Sequence, residues 1–193
     1  MKRGLSMGIE RTLYAVGAVL LCVAAIQVIR YQAFQLRPQW FASVPQSATL
    51  AVAPGLGNPT VPAHQIVGRV EIPRLSLGLN VIEGDDEDTL ALSAGHVPGS
   101  AQFGASGNAV VAGHRETAFR PLRNIRSGDL IRAYRAGKTY DYEVESTRIV
   151  KPDDVSVLRQ STRPVLTLIT CYPFRYVGDA PHRFIVTARM ISH

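Results

Sequence analysis

A thiol, an imidazole and a guanidinium are the side chains of this sequence best suited to acyl chemistry, and each sits at the end of an apolar run. Cys171 closes Pro164-Val165-Leu166-Thr167-Leu168-Ile169-Thr170 and precedes Tyr172-Pro173-Phe174, where a proline must end a central ladder. A lone cysteine is most often a small buried hydrophobe, but a strand end, where side chains reach the surface, suits a nucleophile. Such a thiol needs one partner to carry a proton and another to stabilise the oxyanion of a tetrahedral intermediate. Of the histidines, His114 ends Asn108-Ala109-Val110-Val111-Ala112-Gly113 and projects where a strand meets a loop. His96 lies in the turn-like Gly95-His96-Val97-Pro98-Gly99, and His182 falls on the opposite face of a strand from Arg183. Arg183 enters the apolar run Phe184-Ile185-Val186, which costs desolvation unless an anion meets it, at least transiently. Taken singly, each has an ordinary structural explanation: a core thiol, a satisfied histidine, a surface ion pair.

The elements that must position these residues are mainly strands. Residues 66–73 and 75–83 are short β-rich runs separated at Pro73-Arg74. Residues 85–95 carry acids first, helix formers next and Gly95 last, which predicts a short capped helix. Residues 108–114, 129–135, 164–171 and 183–190 read as strands, and Thr139 to Ser146 alternates strictly, with Tyr140, Tyr142 and Val144 on one face and Asp141, Glu143 and Glu145 on the other. Seven or eight short strands without a βαβ rhythm predict a mostly β barrel or sandwich with one or two short helices.

Residues 1–65 carry five Lys/Arg against one acid, while residues 66–193 carry sixteen against fourteen. The positive excess thus flanks an apolar segment and reads as a topology signal, which argues against nucleic-acid binding. Thr12 to Ile29 holds no charge and makes roughly 27 Å of helix, enough to span a hydrocarbon core. The expected organisation is a cytoplasmic N-terminus (1–11), a transmembrane signal-anchor helix (12–30), a Pro/Gly/Ala-rich linker (31–65) and a catalytic domain outside the membrane (66–193). A cleaved signal peptide ending near Val23-Ala24-Ala25 is the lesser alternative, and it exports the domain equally. The only other cysteine, Cys22, lies in the apolar run, so neither a disulfide framework nor a Cys-x-x-Cys metal site is expected.

Together the segments resemble the sortase family. Thr167-Leu168-Ile169-Thr170-Cys171 fits a Thr-Leu-x-Thr-Cys motif, Val111-Ala112-Gly113-His114-Arg115 resembles the catalytic histidine segment, and Pro181-His182-Arg183-Phe184-Ile185-Val186 resembles the strand bearing the catalytic arginine. Gly95 to Ser100, Gly107-Asn108, Phe119 to Leu122, Gly128-Asp129 and Cys171 to Phe174 look most like class D, whereas Ala118 stands where a larger residue is expected. The resemblance covers residues 66–193. It implies an eight-stranded β-barrel and a cysteine transpeptidase in which Cys171 is the nucleophile, His114 the proton carrier and Arg183 the oxyanion stabiliser. It also implies a Leu-Pro-x-Thr-like sorting signal on a protein substrate, a thioester intermediate and an amine acceptor in the cell envelope. Thr170, Ile169 and His96 are the further candidates for substrate binding. No acidic third member is evident, so thiol and histidine are expected to be weakly coupled. The acids from Glu83 to Asp88 are explained by helix capping, with calcium a lesser alternative, so no cofactor is expected. Two rival readings remain: an exported cysteine hydrolase of the same fold, and a non-catalytic, membrane-tethered β-barrel binding module.

Overall fold

The computed structural model describes residues 2–35 and 65–192, which belong to two separate compact units. In the first, helix α1 spans Lys2–Gln35. Its segment Arg11–Arg30 has a mean hydropathy of 2.3 and, among the described residues, is the one helix long and apolar enough to cross a bilayer. Leu20, Leu21, Val28 and Ile29 on it are exposed. The helix starts before the expected span and runs past it through Tyr31 to Gln35, because that stretch contains no helix breaker before Pro38. The rest of the expected linker, residues 36–64, lies outside the described residues, as does His193.

The second unit is a closed barrel of eight strands: β1 (Ile66–Ile72), β2 (Leu77–Glu83), β3 (Ala94–His96), β4 (Gly107–Ala112), β5 (Leu130–Arg135), β6 (Lys138–Val150), β7 (Pro164–Tyr172) and β8 (His182–Ser192). They follow one another round the barrel as β1-β2-β3-β4-β7-β8-β6-β5, with β5 pairing back onto β1. The pairs β2–β3 and β4–β7 are parallel and the others antiparallel. Closure removes free sheet edges, and the alternating apolar residues fill the interior: Val70, Ile72, Leu79, Val111, Leu166, Leu168 and Val186 form its core.

Period-two patterning holds on β6, where Tyr142 and Val144 are buried while Glu143 and Glu145 pair with Arg189 outside. That strand continues beyond the alternating stretch because Ser146 to Val150 pairs with Thr187 to Arg183 of β8. The short helix α2 (Glu87–Leu92) is capped by Asp86, whose carboxylate accepts from Thr89 N at 3.0 Å. Its C-cap is Ser93, not Gly95. Gly95 belongs to β3, where a Cβ would meet the carbonyl oxygen of Gly84 at 2.0 Å. Between β6 and β7, residues 151–163 form a loop containing a 3-10 turn at Val155–Leu158. Asn108 of β4 ties it down, donating from Nδ2 to the carbonyls of Val157 (3.0 Å) and Arg159 (3.3 Å).

Candidate active site

Strand pairing fixes the relation between the thiol and the guanidinium. On the β7–β8 ladder Cys171 lies directly opposite Arg183, and one residue further Tyr172 lies opposite His182. Leu166 and Leu168 of β7, and Val186 and Ala188 of β8, point into the core. By alternation Thr167, Ile169 and Cys171 face outward on β7, beside Thr187, Ile185 and Arg183 on β8. Directly opposed residues hold their Cβ atoms about 5 Å apart, so thiol and guanidinium share one patch of the outer face. Cys171 is partly exposed. Arg183 donates from Nη1 to the carbonyls of Ala180 (3.3 Å) and His182 (3.1 Å), which steadies the fork. Among the described residues no carboxylate lies within 4.0 Å of it, so its charge is not spent on a fixed partner. Below this pair Tyr172, Phe174 and Phe184 pack ring against ring, the closest centroids 5.2 Å apart, and anchor the strand ends that carry the two groups.

His114 arrives from the other side of β7. Strand β4 runs parallel to β7 with Ala112 beside Ile169, and Gly113 N donates to the Ile169 carbonyl at 3.1 Å. The segment leading into His114 therefore leaves β4 beside the Thr170–Cys171 end of β7. The strand itself stops at Ala112, so His114 opens a loop and does not close the ladder. Two contacts hold this corner. Thr170 Oγ1 donates to the Gly113 carbonyl at 2.6 Å, and the Phe119 ring packs where a side chain at residue 113 would be, 2.8 Å from an ideal Cβ. Glycine is therefore required at 113 by space. His114 is half-buried, with Nε2 3.5 Å from Glu87 Oε1 in the first turn of α2. The sequence did not suggest this acid; Glu87 is 86% exposed, so it makes a solvated pair and not the buried orienting carboxylate of a triad.

Residues 70–191 match the family model of the Sortase domain. The chain belongs to the sortase family. It is 37% identical over 129 residues to Sortase D of Bacillus subtilis, covering 66% of this chain and 65% of that protein. It is 28% identical over 174 residues to Sortase A of Bacillus anthracis, covering 88% of this chain and 79% of that one. Among solved structures, the Clostridium perfringens Sortase D5 transpeptidase superposes with a TM-score of 0.63 at 26% identity, over 68% of this chain and 82% of its own. The chain thus spans about two thirds of Sortase D, and the eight-stranded barrel is the one its relatives lead one to expect.

Two of the further candidates in this sortase take positions different from those the sequence suggested. Thr170 is 2% exposed and faces inward, and its hydroxyl holds the histidine corner through the Gly113 carbonyl. His96 is 1% exposed; Nδ1 is 2.8 Å from Glu83 Oε2 and Nε2 is 2.9 Å from the Ala101 carbonyl, with Ser100 Oγ also at 3.0 Å. Both nitrogens are thus occupied inside the barrel wall, where His96 joins β2 to β3 and the following turn. Ile169 does face outward beside Cys171 and forms the floor next to it. The acids around α2 divide their work: Glu83 holds His96, Asp86 caps the helix and Glu87 reaches His114. Among the described residues no group of three or more His, Cys, Asp or Glu is arranged to hold a metal ion.

Sequence reasoning passed over Arg115, the residue after the histidine. Its guanidinium is 6% exposed, donates from Nη2 to the carbonyls of Tyr176 (3.1 Å) and Gly178 (3.3 Å), and lies 5.9 Å from the Tyr176 ring centroid. It clamps the segment joining Cys171 to Arg183 onto the histidine loop, while Nε pairs with Glu116 and Nη1 is buried without a partner. The signal was present, an arginine between a catalytic-type histidine and an acid, but its partners are backbone carbonyls some sixty residues away that no pattern marks.

Proposed function

We propose that the chain is a membrane-anchored cysteine transpeptidase that cleaves a Leu-Pro-x-Thr-like C-terminal sorting motif after its threonine and transfers the acyl part to an amine of the cell envelope. One observation carries the reading: Cys171 stands opposite Arg183 on the outer face, with the His114 corner bonded to the adjoining strand. In this mechanism the Cys171 thiolate attacks the threonine carbonyl carbon. Negative charge moves onto the carbonyl oxygen, where the planar fork of Arg183 stabilises it. As the tetrahedral species collapses the C–N bond breaks, and His114, as imidazolium, gives its proton to the departing amine. A thioester remains. An incoming primary amine attacks it, His114 takes up the proton released, and the thiolate leaves to restore the starting state. Glu87 lies 3.5 Å from His114 Nε2 but is exposed to solvent, so the pair contributes little to holding the ring.

Helix α1 supports anchoring by its length and apolarity. Lys2, Arg3 and Arg11 precede the span, which favours an N-terminus in the cytoplasm and a barrel on the outside.

The test is mass spectrometry of the full chain in detergent with a Leu-Pro-x-Thr peptide, without and with a primary amine. The reading expects a covalent Cys171 adduct, absent in Cys171→Ala, and release of an amide product when amine is present. Turnover of equal rate with water alone identifies a hydrolase, and absence of an adduct identifies a binding module. Arg183→Lys is expected to lose about 3–4 kcal/mol of transition-state stabilisation, on the order of 10²–10³ in kcat, because an ammonium cannot reproduce the fork.

A further inference from the structure

Residues 173–181 join the end of β7 to the start of β8, and Arg175 to Asp179 within them are exposed. Three carbonyls of this segment accept bonds from guanidinium groups. Arg115 Nη2 donates to those of Tyr176 (3.1 Å) and Gly178 (3.3 Å), and Arg183 Nη1 donates to that of Ala180 (3.3 Å). Two arginines thus share one short stretch of backbone. Only Asp179 separates Gly178 from Ala180, so at most roughly 7 Å of extended chain lies between the two held residues. Pro181 stiffens the far end: its ring fixes φ and restricts Ala180 to extended conformations. Few torsions are left to absorb a displacement of Gly178 before it reaches Ala180.

The two guanidinium groups differ in what holds them. Arg115 is 6% exposed, and its turn is closed by Phe119 N, which donates to the His114 carbonyl at 2.9 Å while the Phe119 ring is fully buried. Arg115 therefore belongs to the packed frame of the barrel, and the exposed segment hangs from it. Arg183 also donates to the His182 carbonyl at 3.1 Å, which ties the fork to its own strand. Its bond to Ala180 ties the fork to the segment that Arg115 holds. We propose that Arg115 is a positioning residue for the reaction: by clamping the Tyr176 and Gly178 carbonyls it keeps Ala180 where the Arg183 fork is directed at the oxyanion. This inference rests on the transpeptidase reading above and adds to it a residue that acts through Arg183.

The test is a double-mutant cycle on the full chain in detergent, with acylation by a Leu-Pro-x-Thr peptide followed by mass spectrometry. Arg115→Met removes both donors and keeps an unbranched side chain in a buried site. It should lower kcat by about tenfold or more with KM within about twofold, since a misplaced transition-state donor costs rate and not ground-state binding. In the Arg183→Lys background, where the fork is already gone, the same change should lower kcat by less than about twofold. Gly178→Ala carries the cycle if Arg115→Met fails to fold. Gly178 has φ +94° and a Cβ there meets nothing within 4 Å, so alanine shifts the backbone of the exposed segment without touching the barrel. It should lower kcat in the parent and lose that effect in Arg183→Lys. Equal fold-losses in the two backgrounds overturn the positioning role and leave the transpeptidase standing, as does a parent kcat that neither substitution changes. Absence of acyl-enzyme from the unmutated chain overturns both.

Discussion

Replacing Thr170 by valine isolates the bond that ties the histidine corner to the nucleophile strand. Valine keeps the branched shape at a site 2% exposed, so packing is nearly conserved and the change is the loss of one O–H donor to the Gly113 carbonyl, 2.6 Å away. A buried acceptor left short of its partner costs about 1–3 kcal/mol. Denaturant unfolding of the full chain in detergent should therefore show a lower midpoint at unchanged slope. The same bond sets where His114 begins, and a displacement of about 1 Å in a proton-transfer group is worth on the order of 10² in rate. Acylation by a Leu-Pro-x-Thr peptide should slow in kcat by more than the stability loss alone explains, with KM little changed, since the outer face that carries Cys171 and Arg183 is untouched. Thr170→Ser retains the hydroxyl and should recover most of the rate. A loss in the serine variant with valine unchanged would assign the effect to the methyl and not to the bond, and would refute the positioning argument.

Three further outcomes are expected. Arg115→Lys removes a fork that holds two carbonyls and faces a tyrosine ring, so limited proteolysis within residues 173–181 should accelerate by about tenfold or more, read as fragment appearance by mass spectrometry. Glu87→Gln should alter kcat/KM by less than about threefold at any pH between 6 and 9, because a solvent-exposed pair contributes little; a loss of 10²-fold in the peptide assay would make Glu87 a true third member. Asp129 accepts from Arg74 on both oxygens and from Arg126 N at 2.8 Å, and the Arg74 bonds hold its carboxyl below the ordinary 3.8. Its stabilisation is thus complete above that value and disappears as pH falls through the lower folded value. Asp129→Asn should cost about 1.5–3 kcal/mol near neutral pH, and the gap between variant and parent should close in acid, followed by thermal or denaturant unfolding.

The strands were legible because their signal is local. Alternation along Tyr140 to Glu145, continuous apolar runs at residues 164–171 and 183–190, and punctuation by Pro73 and Pro173 all follow from side-chain period and backbone chemistry within a few residues. The histidine, cysteine and arginine were legible only in combination, since each has an ordinary structural alternative alone. Their juxtaposition depends on two registers, β4 on β7 and β7 on β8, and a one-residue slip in either would turn Cys171 or Arg183 inward. Helix ends were less legible: Gly95 looks like a terminator of α2, but it serves β3 by leaving room for the Gly84 carbonyl.

By itself, then, the sequence determined that a mostly β domain follows an apolar helix, and that a strand-end thiol has a histidine and an arginine available to it. Tertiary structure alone decided the tasks of the polar residues around them. Thr170 turns inward, His96 is enclosed with Glu83, Glu87 meets His114 and Arg115 clamps a distant segment. The reason is physical: hydrophobic periodicity is written over a few neighbouring residues, whereas a hydrogen bond between residues far apart in the chain exists only once barrel closure has fixed which faces look in and which look out.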